Sequence, residues 1–480
     1  MTDSLTESGT IVLLATTPAA RLGCREGTLT DRLADQLATL PAREVQVLTS
    51  AGGLAADLRM VAKLARVASG PVALLPGDLV AHTEALAVLL EHPARDTRAL
   101  VDGEAAAGPT RPPLRVEGGR ITAAGSSFHT VPEANAAFAG GLQAGEADLG
   151  VLAEVAEELA ELAESGRLGP VTPVETVDLL LVGLVRSGVP VRTAALGPLH
   201  CVRPTGQASA DAAIERLAEV DEDQVRLDGA VKSDDGFFTS YLVSPLTRHL
   251  IRPAHALKLT PNAVTGVSVA VAVLAAVWFS EGGRVALVAG ALLFYLSFAL
   301  DCLDGQLARY TRGYTPLGAW ADGMADRFKE YAVYVGLAYG YMATHAYGGG
   351  NPDGIWFLAV AAMMLQAVRH SLQFAYAGSV WDAGQTGALP ARPSRSLLEP
   401  SDAGRRRPRQ GLLRIAQRVR HGSAVHWLRR MVVLPIGERT ALIAVTAAVS
   451  DARVTFVALL GWGAVAAAYQ LVGRMMRSAE

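Results

Sequence analysis

Between Asp301 and Asp326 four aspartates stand at offsets that suit chemistry on phosphate: Asp301, Asp304, Asp322 and Asp326. On a helix Asp301 and Asp304 share a face at i, i+3, as do Asp322 and Asp326 at i, i+4. Two such helices set face to face bring four carboxylates to one point. Like charges this close do not stay ionised without cations, which makes divalent metals the natural partners. A pair of hard metals in a carboxylate cage is suited to phosphoryl transfer. The run from Val285 to Leu300 just upstream carries no charge at all. Ionisable groups beside so apolar a stretch mark function rather than a solvated face.

The full spacing reads D-x2-D-G-x2-A-R-x8-G-x3-D-x3-D, with Gly305, Ala308, Arg309 and Gly318 filling the positions between the acids. It resembles the signature of the CDP-alcohol phosphotransferase family, also called the CDP-alcohol phosphatidyltransferases. The resemblance implies a membrane enzyme that moves a substituted phosphoryl group from a CDP-alcohol to a hydroxyl acceptor and releases CMP. It implies two divalent ions, Mg²⁺ or Mn²⁺, held by Asp301, Asp304, Asp322 and Asp326, with Asp326 also taking the acceptor proton. Gly305 and Ala308 would leave room for the cytidine part, Arg309 would hold a phosphate, and Thr315 would contact the nucleotide. Thr260-Pro261-Asn262 and Thr265 resemble a second family element beside the nucleotide, in which Asn262 and Thr265 bind. Pro261 in a first helical turn after Thr260 as N-cap is also ordinary helix-start chemistry. Arg327 and Glu330 follow the family pattern, and Arg327 either pairs with an acid of the site or sits at the interface. Arg369 and Arg439 are the acceptor-binding candidates, beside His370 and Glu438. The family is expected to be homodimeric.

The helices that must position these residues follow from hydropathy. Half of the 480 residues are hydrophobic and 19% are charged, but the first 235 have mixed polarity and the remainder carries the long apolar runs. Six spans are expected, at 261–280, 284–307, 317–345, 354–380, 438–450 and 454–475, the fifth being short. The turn from Tyr347 to Gly354 lacks Lys and Arg, whereas residues 391–430 carry eleven arginines, including Arg405 to Arg407 and Arg409. The positive-inside rule places that basic loop, 385–432, in the cytoplasm, with both termini, in a multi-pass inner-membrane protein. Before the first span, residues 231–260 read as an interfacial linker. Phe237, Phe238, Tyr241, Leu242, Leu246, Leu250 and Ile251 recur at helical spacing among Arg248, Arg252, His255 and Lys258.

Residues 1–230 read as a cytoplasmic α/β domain. Strands are expected at Ile11 to Ala15, Glu44 to Thr49, Pro71 to Asp78, where the strand ends in a turn, and Val189 to Ala195. Helical patterns run from Leu29 to Leu40, Leu54 to Ala68, Thr83 to Leu90, 151–165 and 172–187, and Leu114 to Ala124 forms a hairpin around Gly118-Gly119. The alternation predicts a parallel sheet. The layout resembles the nucleotidyltransferase fold of sugar-phosphate cytidylyltransferases, with Asp78 where that family has a metal-binding aspartate. Its nucleotide loop needs glycines so that backbone N–H groups can reach a triphosphate. Here Thr16, Thr17, Pro18, Ala19 and Ala20 occupy the stretch, so a retained fold without nucleotide transfer is expected. A net charge of −3 excludes general nucleic-acid binding, and Cys24, Cys201 and Cys302 have neither disulfide-framework nor zinc spacing. Two other readings stay open: a bifunctional cytidylyltransferase/phosphotransferase, and a non-catalytic membrane scaffold.

Overall fold

A computed structural model describes residues 9–40, 44–49, 52–103, 108, 110–232, 236–345, 354–385, 427 and 431–478. The Arg405–Arg409 cluster, and 347–353 of the polar turn, lie outside the described residues. The chain divides into two compact units between Val225 and Arg226.

The first unit contains strands β1 (Thr10–Leu14), β2 (Gly23–Cys24), β3 (Gly27–Thr28), β4 (Glu44–Leu48), β5 (Val72–Pro76), β6 (Val80–Ala81), β7 (Arg98–Asp102), β8 (Pro113–Glu117), β9 (Arg120–Ala124), β10 (Ala136–Ala144), β11 (Arg192–Ala195) and β12 (Cys201–Val202). Helices α1 (Leu29–Ala38), α2 (Leu54–Val67), α3 (Thr83–Leu90), α4 (Leu149–Glu164), α5 (Thr176–Arg186) and α6 (Gln207–Leu217) cover them. The main sheet has eight strands in the order β4-β1-β5-β10-β7-β11-β9-β8. β1 lies parallel to β4 and β5, and all five residues of β5 are buried, as a central strand covered on both faces requires.

The sheet is mixed, not parallel as the alternation predicts. β10 runs antiparallel to both β5 and β7, at the centre. Its sequence, AAFAGGLQA, is nine buried residues of low strand propensity without polar alternation. Small side chains suit a strand this crowded: a Cβ at Gly141 would lie 2.7 Å from Leu100 Cδ1. Gly140, at φ 101°, sits where the register with β7 shifts. The expected hairpin is β8–β9, turning on Gly118 and Gly119 at φ 57° and 76°, the positive values that favour glycine.

The second unit is helical. α7 (Glu222–Ala230) leads into it, followed by α8 (Ser244–Ala256), α9 (Pro261–Ser280), α10 (Arg284–Thr311), α11 (Pro316–His345), α12 (Gly354–Gln385), α13 (Ile436–Val449) and α14 (Ala452–Ser478). Among the described residues four segments are long and apolar enough to cross a membrane: Pro261–Ser280, Arg284–Thr311, Gly354–Leu372 and Ala452–Val472. α11 and α13, the third and fifth expected spans, are helices outside that set. α11 carries Asp322, Asp326, Arg327, Lys329 and Glu330, and α13 has only 14 residues. Aromatic and aliphatic side chains such as Phe279, Phe294, Tyr334, Leu337, Ile443 and Phe456 fill the bundle core. Val277, Val285, Leu292, Phe357 and Met364 point outward, as lipid-facing positions do. α8 buries Thr247, Ile251 and Ala254 and exposes Leu246 and Leu250.

Candidate active site

α9 begins with Thr260, whose hydroxyl accepts from the Ala263 N–H at 3.2 Å, and with Pro261 in the first turn. α11 begins in the same manner: Thr315 Oγ1 accepts from the Gly318 N–H at 2.9 Å. These starts bring Asn262 and Thr315 together across Gly318. A Cβ there would stand 2.8 Å from Asn262 Oδ1 and 2.7 Å from Thr315 Oγ1, so only glycine leaves room. One turn further along α9, Thr265 Oγ1 donates to Asp304 Oδ2 at 2.5 Å. Gly305 lies beneath the Arg309 guanidinium, with a would-be Cβ 3.4 Å from Nη1, and Arg309 Nε donates to the Ala230 carbonyl at 2.5 Å. Ala308, half-buried, is on the same stretch of α10. The residues expected beside a nucleotide therefore belong to three adjoining helix ends.

Against them stand the acids. Asp301, Asp322 and Asp326 each offer a carboxylate oxygen within 4.8 Å of the other two. Asp304 is not in that trio; its carboxylate is engaged by Thr265. Asp326 Oδ1 is buried, with the Lys329 ammonium 3.1 Å away. Three hard carboxylate oxygens this close together fit a Mg²⁺- or Mn²⁺-type ion.

Sequence reasoning missed Lys329. Its Nζ contacts Asp301, lies 3.1 Å from Asp326 Oδ1 and donates to Ser268 Oγ at 3.2 Å. The available signal was a lysine at i+3 from Asp326, which places it on the same helix face as that acid.

The acceptor candidates part ways. Arg439 is buried and donates to Glu330 Oε2 at 3.0 Å, while the Tyr334 hydroxyl donates to Glu330 Oε1 at 2.6 Å. Asp326, Lys329, Glu330 and Arg439 line one cavity with Phe294, Ser297, Phe298, Ile436, Thr440 and Ile443. Arg369 ties the chain before α13 instead, donating to the Val433 carbonyl at 2.7 Å and to Gln366 Oε1 at 3.1 Å. Arg327 lies over the Phe374 ring, 4.8 Å from its centroid, and donates to the Gly323 carbonyl.

The N-terminal unit has its own acid. Gly77 ends β5 in tight contact, a Cβ there being 2.9 Å from Ala15 Cα, and so turns Asp78 inward. Asp78 is 1% exposed. Arg203 donates to it through both Nε, at 2.8 Å, and Nη2, at 3.2 Å, and the Thr17 hydroxyl donates at 3.2 Å. Arg203 Nη1 donates to the Val174 carbonyl at 2.8 Å and stands 3.9 Å from Asp178 Oδ2. Burial pushes the Asp178 carboxyl up to about 7 against the pull of Arg203. Gly140 leaves the space for this arginine: a Cβ there would lie 3.1 Å from Arg203 Cδ.

Residues 258–392 match the family model for CDP-alcohol phosphatidyltransferase. A phosphatidylinositol phosphate synthase of Mycobacterium bovis (strain BCG / Pasteur 1173P2) is 34% identical over 104 residues, 22% of this chain and 45% of the relative. Another of that name, from Mycobacteroides abscessus, is 28% identical over 157 residues, 33% of this chain and 66% of the relative. The chain thus spans about half the length of the first of these curated relatives. The inositol-1-phosphate CTP transferase of T. maritima covers 44% of this chain and 96% of its own, at 13% identity and a TM-score of 0.32. The stretch that matches the CDP-alcohol phosphatidyltransferase model, 258–392, is the one in which the acids gather beside helices long and apolar enough to cross a membrane.

Proposed function

We propose that the protein transfers a substituted phosphoryl group from a CDP-alcohol, such as CDP-diacylglycerol or a CDP-polyol, to a hydroxyl acceptor, in phospholipid or phosphodiester synthesis. The observation that carries this reading is the carboxylate trio within 4.8 Å, embedded in the stretch that matches the family. Asp301, Asp304, Asp322 and Asp326 would hold the divalent ions. Such ions, when bound, neutralise phosphate charge and lower the cost of the leaving group. Asn262, Thr265, Gly305, Ala308, Arg309 and Thr315 seat the cytidine diphosphate. The acceptor oxygen forms its bond to the β-phosphorus as the bond to CMP breaks, and the acceptor proton passes to Asp326. A carboxylate suffices as base where the acceptor hydroxyl is acidified by its surroundings.

An acceptor that already carries a phosphate is the one favoured here, since Lys329 and Arg439 line the cavity at Asp326, beside Glu330. The relatives' name points to an inositol phosphate. Residues 261–480 form the six-span catalytic domain of an inner-membrane homodimer, 231–260 the interfacial helix, and both termini and the 385–432 loop face the cytoplasm. Single cysteines at positions 401 and 349 should then label from opposite sides of the membrane.

Residues 1–230 keep a nucleotidyltransferase-like fold without its chemistry. The Asp78–Arg203 pair supports this over the bifunctional reading, since a fixed guanidinium takes the position where a metal-binding aspartate would need a metal. The direct test is CMP release by the purified chain from a panel of CDP-alcohols and polyol phosphates in Mg²⁺. Absence of release with every pair would favour the scaffold reading.

A further inference from the structure

Three carboxylates crowd the cage described above, and one ammonium sits in direct contact with two of them. Lys329 is 5% exposed, and its ammonium touches Asp301, lies 3.1 Å from Asp326 and bonds Ser268 Oγ. Ser268 is itself fixed, since its Oγ donates to the Ser297 carbonyl at 3.0 Å and its carbonyl accepts from Ser297 Oγ at 2.8 Å. The ammonium thus sits between two of the three carboxylates that would ligate a metal. An ammonium and a divalent ion cannot share those oxygens at contact distance without strong repulsion.

We propose that Lys329 is the built-in counter-ion of this cage: it fills the cation position in the metal-free protein and competes with the divalent ion for it. Lysine suits such a role better than arginine. Its charge is compact and rides on a flexible four-carbon stem, so it can withdraw without moving the helix. Lys329 also lines the cavity bounded by Phe294, Ser297, Phe298, Glu330 and Arg439, which gives the displaced ammonium somewhere to go. The device keeps buried carboxylates paired when no metal is present, where unpaired ones would be expensive. Its cost is weaker metal binding, because each loading event must first expel the lysine.

The inference rests on the reading that Asp301, Asp322 and Asp326 bind metal, and the test separates the two. Full-length protein in detergent is titrated with Mn²⁺, with free ion read by electron paramagnetic resonance. Lys329→Met keeps the length of the side chain and removes the charge. It should bind Mn²⁺ at least about tenfold more tightly than the natural protein, since a unit charge at contact distance no longer opposes the ion. Its metal-free form should melt at a lower temperature, and Mn²⁺ should raise its Tm by more than it raises that of the natural protein. Lys329→Gln, which keeps a donor for Ser268, should show the same gain in affinity and serves if the methionine variant does not fold. A lysine that merely holds the helices together would give lower stability with unchanged or weaker Mn²⁺ binding, and that result overturns the proposal. No Mn²⁺ binding by the natural protein would overturn both the proposal and the metal reading. Binding by the natural protein with no gain in either variant would overturn the proposal alone.

Discussion

In the N-terminal unit Asp78 faces a guanidinium that grips both of its oxygens; in the helical unit three clustered carboxylates stand together and the Lys329 ammonium contacts two of them, Asp301 and Asp326. Both regions bury acids, and both supply a cation from their own sequence. They differ in how complete the neutralisation is. Arg203 is planar, permanently charged and anchored at a third point, the Val174 carbonyl, so the Asp78 site is closed. Lys329 reaches Asp301 and Asp326 with one compact charge among three clustered carboxylates, so that site has room for more positive charge. An acid in a pocket is therefore weak grounds for metal chemistry until its counter-charge has been counted.

The strongest way to break this contrast is at the base. Asp326→Asn should lower CMP release by about 10²–10⁴-fold, the usual share of a general base, with donor binding changed by less than about tenfold. Near-normal turnover would remove Asp326 from the chemistry. Asp301→Asn should instead raise the Mg²⁺ concentration needed for half-maximal rate, and an unshifted titration would take it out of the ligand set.

At the closed site, Arg203→Met should destabilise the N-terminal unit by about 3–5 kcal/mol, because Asp78 is left buried and unpaired. Calorimetry showing an unaltered Tm would mean that Asp78 is not held by this pair. The natural full-length chain, given CTP, Mg²⁺ and polyol phosphates, should release no pyrophosphate. Steady release that vanishes in Asp78→Ala would show the site to be open after all.

Asp178 sharpens the comparison through pH. Its folded carboxyl is raised from 3.8 to about 7 by burial, so the folded state binds a proton more tightly than the unfolded chain. The resulting stability is full below the unfolded value and is lost as pH rises towards 7. Asp178→Asn should flatten that part of the stability profile between about pH 4 and 7. A natural-minus-variant difference independent of pH would refute the assignment. The smallest effect expected is at Thr265, whose hydroxyl supports Asp304. Thr265→Val should raise the donor KM by about tenfold, the low end of what one hydrogen bond to a charged group is worth, with kcat affected less.

Much of the site was readable because spacing on a helix is geometry: i, i+3 and i, i+4 offsets fixed which acids share a face before any packing was known. The glycine at 318 was readable for the same reason. Lys329 was not, because a lysine between Arg327 and Glu330 does not reveal whether it snorkels to the surface or turns inward. Arg203 lay beyond reach for a different reason: its partner Asp78 is 125 residues away, and only the sheet brings them together. β10 went unseen because alanine and glycine carry no strand period, and the sheet was consequently read as parallel. Arg369 and Arg439 look equivalent in sequence, yet one ties down a chain segment and the other walls the cavity at Asp326.

The charge load of α11 bears on how the protein is made. A helix with Asp322, Asp326, Arg327, Lys329 and Glu330 in its first half partitions poorly into lipid by itself, each such residue near a bilayer centre opposing insertion by about 2.5–3.5 kcal/mol. Further along, Gly336 and Gly340 bring α11 against the carbonyls of Ala276 and Phe279 on α9, an approach so close that a Cβ at either glycine would collide with them. Close backbone contact of this kind is how helices recognise one another inside a bilayer. On the six-span reading proposed above, α9 and α10 would emerge first and form the template, and α11 would leave the translocation channel only as their partner. In a translocon insertion assay α11 alone should fail to integrate, α9 to α11 together should integrate fully, and Gly340→Leu in the three-helix segment should return α11 to the aqueous side.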